Sequence, residues 1–237
     1  MAYICGNVAA VLNKQKPMGT INQGILGNFK GKVGNVVGST WKGTGVMRIR
    51  AASIKNPNTE RQQAQRQRFG LVGRFLQAHR YLINIGFKAY SPGITAGNAA
   101  MSYNLANAIS GEFPEQAVDM TKVQISRGTL APLTAPEITS SSPATLEVAW
   151  SNNSGMSNAN ETDHLSVSCY DADSGEAVYF LNCASRADGN VTLSLPAEWS
   201  GRSLQVLAFF NSLKNPSDTV SREMVSNTGY AGSVVLA

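Results

Sequence analysis

Residues 56–88 read N-P-N-T-E-R-Q-Q-A-Q-R-Q-R-F-G-L-V-G-R-F-L-Q-A-H-R-Y-L-I-N-I-G-F-K. This stretch combines a helix start, a helical stripe and a run of like charge. Thr59 can cap the first turn, with Gln62 at capping-box spacing. At 100° per residue Val72, Phe75, Leu76 and His79 share one face, flanked by Phe69 and Leu71. Arg61 and Arg68 extend that stripe towards the N-terminus, whereas Arg66, Arg74 and Arg80 point elsewhere. Gly70 and Gly73 lie on the far side, where each weakens a helix by roughly 1 kcal/mol relative to Ala. Glycines there suggest a close approach of another backbone. Gly86 ends the pattern.

Outward from this helix, Ser91-Pro92-Gly93 breaks the chain before a second helix, about Thr95 to Ser110. Ile94, Met101, Leu105, Ala108 and Ile109 form its stripe, and Ala96, Ala99, Ala100 and Ala106 leave room for a close neighbour. Val118 to Ser126 alternates as a strand would. On the other side, residues 31–50 hold short β-friendly pieces punctuated by glycine. They suggest a hairpin or meander with turns at Gly38-Ser39 and Gly43–Gly45, anchored by Trp41. Residues 1–30 are irregular, with a short element near Val8–Leu12 at most.

Residues 128–144 are a Pro/Ser-rich joint, which places a domain boundary at 131/132. Beyond it, alternating runs around Leu146–Trp150, Leu165–Cys169, Ala177–Leu181, Val191–Leu195, Leu204–Phe210 and Val234–Leu236 are separated by regular turns. About seven short strands in about 100 residues suggest an immunoglobulin-like or fibronectin-III-like sandwich with Trp150 buried early in it. The expected class is α+β: a basic domain over residues 1–131, with a hairpin and helices near 59–85 and 95–110, then a sandwich over 132–237. Trp41, Phe69, Phe75, Trp150 and Trp199 are the expected structural anchors.

Charge divides the chain more sharply than the net +5 implies. Residues 1–130 contain 16 Lys and Arg against 4 acids, a balance of +12, and the remainder is −7. Such asymmetry suits a polyanion partner, or docking on the acidic end of a neighbouring copy. The basic surface would comprise Arg48, Arg50, Lys55, Arg61, Arg66, Arg68, Arg74 and Arg80. Cys5, Cys169 and Cys183 are an odd set without close pairs, which reads as buried free thiols rather than a disulfide framework. The first residues lack the basic start and apolar length of an export signal, and no apolar run is long enough to span a membrane. Synthesis in the cytoplasm is expected.

The chemistry-bearing residues are sparse. Counting back from Gly31-Lys32 puts Leu26 where a phosphate loop needs glycine, and Val33 where it needs a hydroxyl. His79 and His164 fall in different expected domains, so neither a metal cluster nor a nucleophile–base pair assembles. Asp171-Ala-Asp173-Ser-Gly175-Glu176 has the flavour of a calcium loop without its length. No catalytic residue, metal ligand or cofactor is expected.

Gly24–Gly43 (G-I-L-G-N-F-K-G-K-V-G-N-V-V-G-S-T-W-K-G), Asn56–Phe69, Ala99–Leu105 and the closing Tyr230-Ala-Gly-Ser-Val resemble an uncharacterised family of Bacteroidetes proteins known only as a domain of unknown function. That resemblance implies no activity and no site residues. The segment Asn-Pro-x-Thr-x-x-Gln-x-x-x-Arg-x-x-Phe also looks like one found in some tailed-phage structural proteins. The leading expectation is a non-enzymatic structural or assembly protein forming homo-oligomers, incorporated in a virion or other assembly. A nucleic-acid-binding protein using the basic front is the alternative. A surface adhesin or glycan-binding module is the third.

Overall fold

The computed structural model describes residues 20–21, 27–41, 44–53, 56–90, 93–156, 158–212 and 224–237. The Trp41 side chain, Lys55, Cys5, Gly43 and the expected element near Val8–Leu12 lie outside the described residues. The chain forms two compact units, Met1–Pro57 and Asn58–Ala237.

In the first unit β1 (Thr20–Ile21), β2 (Phe29–Val33), β3 (Val36–Trp41) and β4 (Thr44–Ile49) form an antiparallel sheet in sequence order. The β2–β3 turn is Gly34-Asn35, between the paired Val33 and Val36, and Gly34 takes the left-handed φ of 58° that glycine allows. The turn expected at Gly38-Ser39 is therefore corrected. Gly38 sits mid-strand opposite Gly31 and Met47, and a Cβ there would run into the Phe29 carbonyl oxygen and ring. That glycine serves close packing, not chain reversal.

The second unit begins with α1 (Glu60–Ala78), α2 (Arg80–Gly86) and α3 (Ala96–Asn107). Gln62 Oε1 accepts from the Thr59 amide at 3.2 Å, and Thr95 Oγ1 accepts from Asn98 N at 3.2 Å, so both main helices start where their caps direct. The single expected helix near 59–85 breaks at His79, whose φ of −101° and ψ of 13° leave the helical region. Two short pairing strands follow, β5 (Ile109–Ser110) and β6 (Ala117–Val118).

The strand expected over Val118–Ser126 is not formed beyond Val118. Val123 and Ile125 are buried as the pattern requires, but the Val123 amide donates to the Asp119 carbonyl, and side chains rather than a neighbouring strand satisfy the backbone from Gln124 to Ser126. Asn104 clamps Gln124, accepting from its N–H and donating to its carbonyl, both at 2.8 Å. Thr228 Oγ1 accepts from the amides of Ile125 and Ser126 at 2.9 and 2.8 Å. Irregular backbone can be buried when its polar groups find such partners.

The remaining strands are β7 (Glu137–Thr139), β8 (Thr145–Ala149), β9 (His164–Asp171), β10 (Glu176–Ser185), β11 (Asn190–Ser194), β12 (Ser203–Asn211) and β13 (Gly229–Val235). They form two sheets, ordered β10-β9-β12-β13 and β11-β8-β7, antiparallel throughout. One core fills the space between them: Leu146 and Val148 from β8 and Leu193 from β11 meet Leu165, Val167, Cys169, Leu204, Val206, Ala208 and Phe210. Strand alternation sends Tyr170, Leu207 and Phe209 to the opposite face, where they pack with Val72, Phe75, Leu76, Leu82, Ile83 and Phe87 of the helical segment. The unit is therefore three layers, with helices on one sheet and the second sheet on its other side. Each fully buried apolar side chain contributes roughly 1.5–3 kcal/mol.

This layering corrects the expected boundary at 131/132. The helices do not make a separate domain with the hairpin. They share a core with the sandwich strands, and the units divide at Pro57/Asn58.

Candidate interaction surface

The predicted basic residues are divided between the two units. Arg48 and Arg50 are exposed on and just after β4 in the first unit. Arg61, Arg66, Arg74 and Arg80 are exposed on the helices of the second. Arg66 Nη1 donates to Asn58 Oδ1 at 2.9 Å, at the start of α1. Arg68 is half-buried and donates through Nε to the amide oxygen of buried Gln116 at 2.9 Å, while the Gln116 nitrogen donates to Ala64 O at 3.1 Å. Ion pairs are seen on Lys122, Arg186 and Arg202.

Of the residues named as anchors, Phe75, Trp150 and Trp199 are buried. Phe69 is corrected, because it is 47% exposed. It lies off the centre of the stripe and about one turn before Val72, the first buried residue of α1, beside Gln62, Gln65 and Arg66 in a shallow cleft. A Cβ at Gly70 would meet nothing within 4 Å, and one at Gly73 only a Met101 methyl at 3.9 Å, so the far side of α1 is open. The close backbone approach is at Gly86, where a Cβ would meet the Ile125 carbonyl oxygen.

The first unit contributes a feature that sequence reasoning missed. Among its described residues only Gly38 is buried, while Val33, Val46, Met47 and Ile49 are exposed, Met47 by 67% and Ile49 by 80%. The signal was present in T-G-V-M-R-I: consecutive apolar residues on one strand place apolar groups on both faces of a sheet.

Among the described residues, several polar groups with catalytic potential are engaged by neighbours. Asp171 accepts from the amides of Asp173 (3.0 Å) and Ser174 (3.4 Å), from Ser174 Oγ (2.8 Å) and from Arg202 (3.1 Å). Burial works to raise its pKa, but the Ser174 hydroxyl, those amides and Arg202 outweigh it and hold the carboxyl below its ordinary value. The calcium-like loop is thus a turn closed on itself. Among the described residues no group of three or more His, Cys, Asp or Glu is placed to hold a metal ion. Cys169 is buried opposite Val178, and Cys183 lies in the β10 irregularity. Burial pushes these thiols up to about 12 and about 11, respectively.

A cavity of about 190 Å³ lies between α2 and the β10-β9-β12 edge, lined by Tyr81, Ser166, Leu181, Asn182 and Asn211 among others. Its polar groups satisfy one another: Ser166 Oγ donates to Asn211 Oδ1 (3.1 Å) and accepts from Asn182 N (3.3 Å), and Asn211 Nδ2 donates to Asn182 Oδ1 (2.9 Å). That triangle fixes Asn182 at its positive φ of 50°.

A second residue missed from sequence is Arg186, fully buried at one end of the sandwich. Its guanidinium lies 3.8 Å from the Phe210 ring centroid and pairs with buried Asp163 at 3.1 Å. It also donates to Asn153 Oδ1 and to Ala131 O, and its own carbonyl accepts from Trp150 Nε1 at 3.0 Å. This cluster fastens the joint and two loops to the strands.

Residues 28–224 match the model of a family of unknown function (DUF6266), and the chain belongs to that family. None of the curated proteins matches it. Among solved structures, the fibronectin type III domain of the human collagen alpha-1(XX) chain is similar over 46% of this chain and 86% of its own length, at 18% identity and a TM-score of 0.30. No helix among the described residues is long and apolar enough to cross a membrane.

Proposed function

We propose that this member of a family without an assigned activity is a non-enzymatic structural subunit that assembles with copies of itself, as part of a virion or another assembly. The observation that carries the reading is the sheet β1–β4. A sheet of this size needs an apolar face packed on something for independent stability. Its described residues bury no large apolar side chain and expose Val33, Val46, Met47 and Ile49. By the strand register Val33, Met47 and Ile49 share one face, with Val46 on the other, and exposed apolar surface of this kind marks an interaction face. Arg48 and Arg50 at the same strand supply a charged rim. The two-sheet sandwich would then be the rigid body that such a face joins to its neighbours.

Light scattering across a concentration series, at low and at high salt, tests this. Masses above the 25.2 kDa of one chain that grow with concentration are expected. A strict monomer at every concentration and salt overturns the reading.

A second reading has its own support. No acid occurs between Arg61 and Gly111, and Arg61, Arg74 and Arg80 are exposed there. A nucleic-acid backbone would suit such a surface, with binding that weakens steeply as salt rises. A gel shift with no retardation at about 50 mM salt removes this alternative.

A further inference from the structure

The second unit is electrically polar across its own layers. The helices on one outside carry Arg61, Arg74 and Arg80, all exposed, with Glu60 the single acid of α1–α3. On the other outside, the β11-β8-β7 sheet turns Glu137, Thr139, Glu147 and Thr192 to solvent, and its three strands hold no basic residue. Registration puts Glu147 between Thr139 and Thr192, so this face is flat, hydroxyl-rich and anionic. Among the described residues neither Glu137 nor Glu147 is ion-paired; Glu147 accepts only a 3.4 Å hydrogen bond from Thr139.

A self-complementary two-fold contact would set like charge against like at either face. Opposite charge on opposite sides of one rigid stack instead suits a heterologous contact, in which each copy presents a different face to each neighbour and growth continues into a ring or filament. We propose that the helical face of one copy docks on the β11-β8-β7 face of the next, so that assembly is head-to-tail. This deepens the assembly reading and depends on it, but it is carried by a different unit of the chain from the β1–β4 sheet.

Sedimentation velocity of the full chain at about 50 and about 500 mM NaCl tests the contact, since added salt shortens the range of charge attraction from roughly 14 Å to roughly 4 Å. Three variants are compared: Arg74→Glu/Arg80→Glu, Glu137→Lys/Glu147→Lys, and the chain carrying all four. All four positions are exposed, and circular dichroism checks that the fold is kept. Wild type is expected to lose at least half its assembled mass at the higher salt. Each double reversal alone should abolish the salt-sensitive association. An equimolar mixture of the two doubles should restore it, because each offers the face the other lacks, and the quadruple variant should restore it within one chain. If wild type assembles and neither reversal alters it, the head-to-tail contact is overturned while the assembly reading stands. If only the arginine reversal weakens association and mixing restores nothing, the cationic face has another polyanion as its occupant and the proposal falls. A wild type that never leaves the monomer overturns the assembly reading itself.

Discussion

Removing Arg186 isolates the energetic role of the buried cluster. Arg186→Met keeps much of the volume but leaves the Asp163 carboxylate, 1% exposed, without its cation. Asp163 would keep a hydrogen bond from Asn160 N at 2.9 Å, while Ala131 O and Asn153 Oδ1 lose their donor. Breaking a buried pair from one side costs about 3–5 kcal/mol, a large share of a typical domain stability of about 5–15 kcal/mol. For a unit of this size that lowers the melting midpoint by about 6–20 °C. Asp163→Asn alone should cost a comparable amount by stranding the guanidinium. The double variant removes both charges, and its carboxamide can still accept from Asn160, so its cost should fall about 2–3 kcal/mol short of the sum of the two single variants. Urea unfolding followed by far-ultraviolet circular dichroism gives the cycle, and a coupling of about 2–3 kcal/mol is expected. Costs that add to within about 0.5 kcal/mol would refute the claim that the two groups act as one.

Three other outcomes follow from packing and charge. His79 is buried with Nδ1 2.8 Å from the Phe75 carbonyl, so Nδ1 carries the proton and donates, and Nε2 has no partner. Desolvation outweighs that backbone hydrogen bond and lowers its pKa from 6.5 to about 4. The unfolded chain therefore binds more protons than the folded one between those values. Stability is full above pH 6.5 and falls as the pH drops towards 4, by about 2–3 kcal/mol; His79→Leu should flatten that slope in urea titrations at about pH 7 and about pH 4.5. Met47→Asp/Ile49→Asp should leave the unfolding midpoint within about 0.5 kcal/mol of wild type, as exposed changes do, but lower the assembled mass in light scattering. Gly70→Ala should stabilise α1 by up to about 1 kcal/mol, whereas Gly86→Ala should cost about 1–3 kcal/mol by forcing the helix end off Ile125; thermal melts separate the two.

The strand pattern from Leu146 to Phe210 was readable because each strand keeps one face on the inter-sheet core. The second role of β12 was harder to see, although Leu207 and Phe209 interrupt its alternation and announce a sheet covered on both sides. Missing that role is what misplaced the boundary: proline, serine and a change of charge sign mark a joint in the chain, while a domain edge depends on which side chains share a core. The run from Val118 to Ser126 misled for another reason. Only Val123 to Ile125 keeps a strand-like burial, and there Asn104 and Thr228, distant in sequence, replace the ladder partner. Helix starts at Thr59 and Thr95 were legible because capping is local. The surface proved hardest to read. Arg68 and Phe69 are adjacent, yet the cation is half-buried and the ring half-exposed, an inversion set by Gln116 on a neighbouring segment.

The sheet β10-β9-β12-β13 works as a party wall between two rooms, and neither room has another wall of its own on that side. Cutting the gene at the Pro/Ser-rich joint would give a sandwich fragment with Tyr170, Leu207 and Phe209 open to water, and a helical fragment with Phe75, Leu82 and Phe87 bare. Neither half could be exchanged, duplicated or expressed by itself without a substitute for the other. Modular reuse of the sandwich, common where such sandwiches stand free, is closed to this chain by its own middle layer.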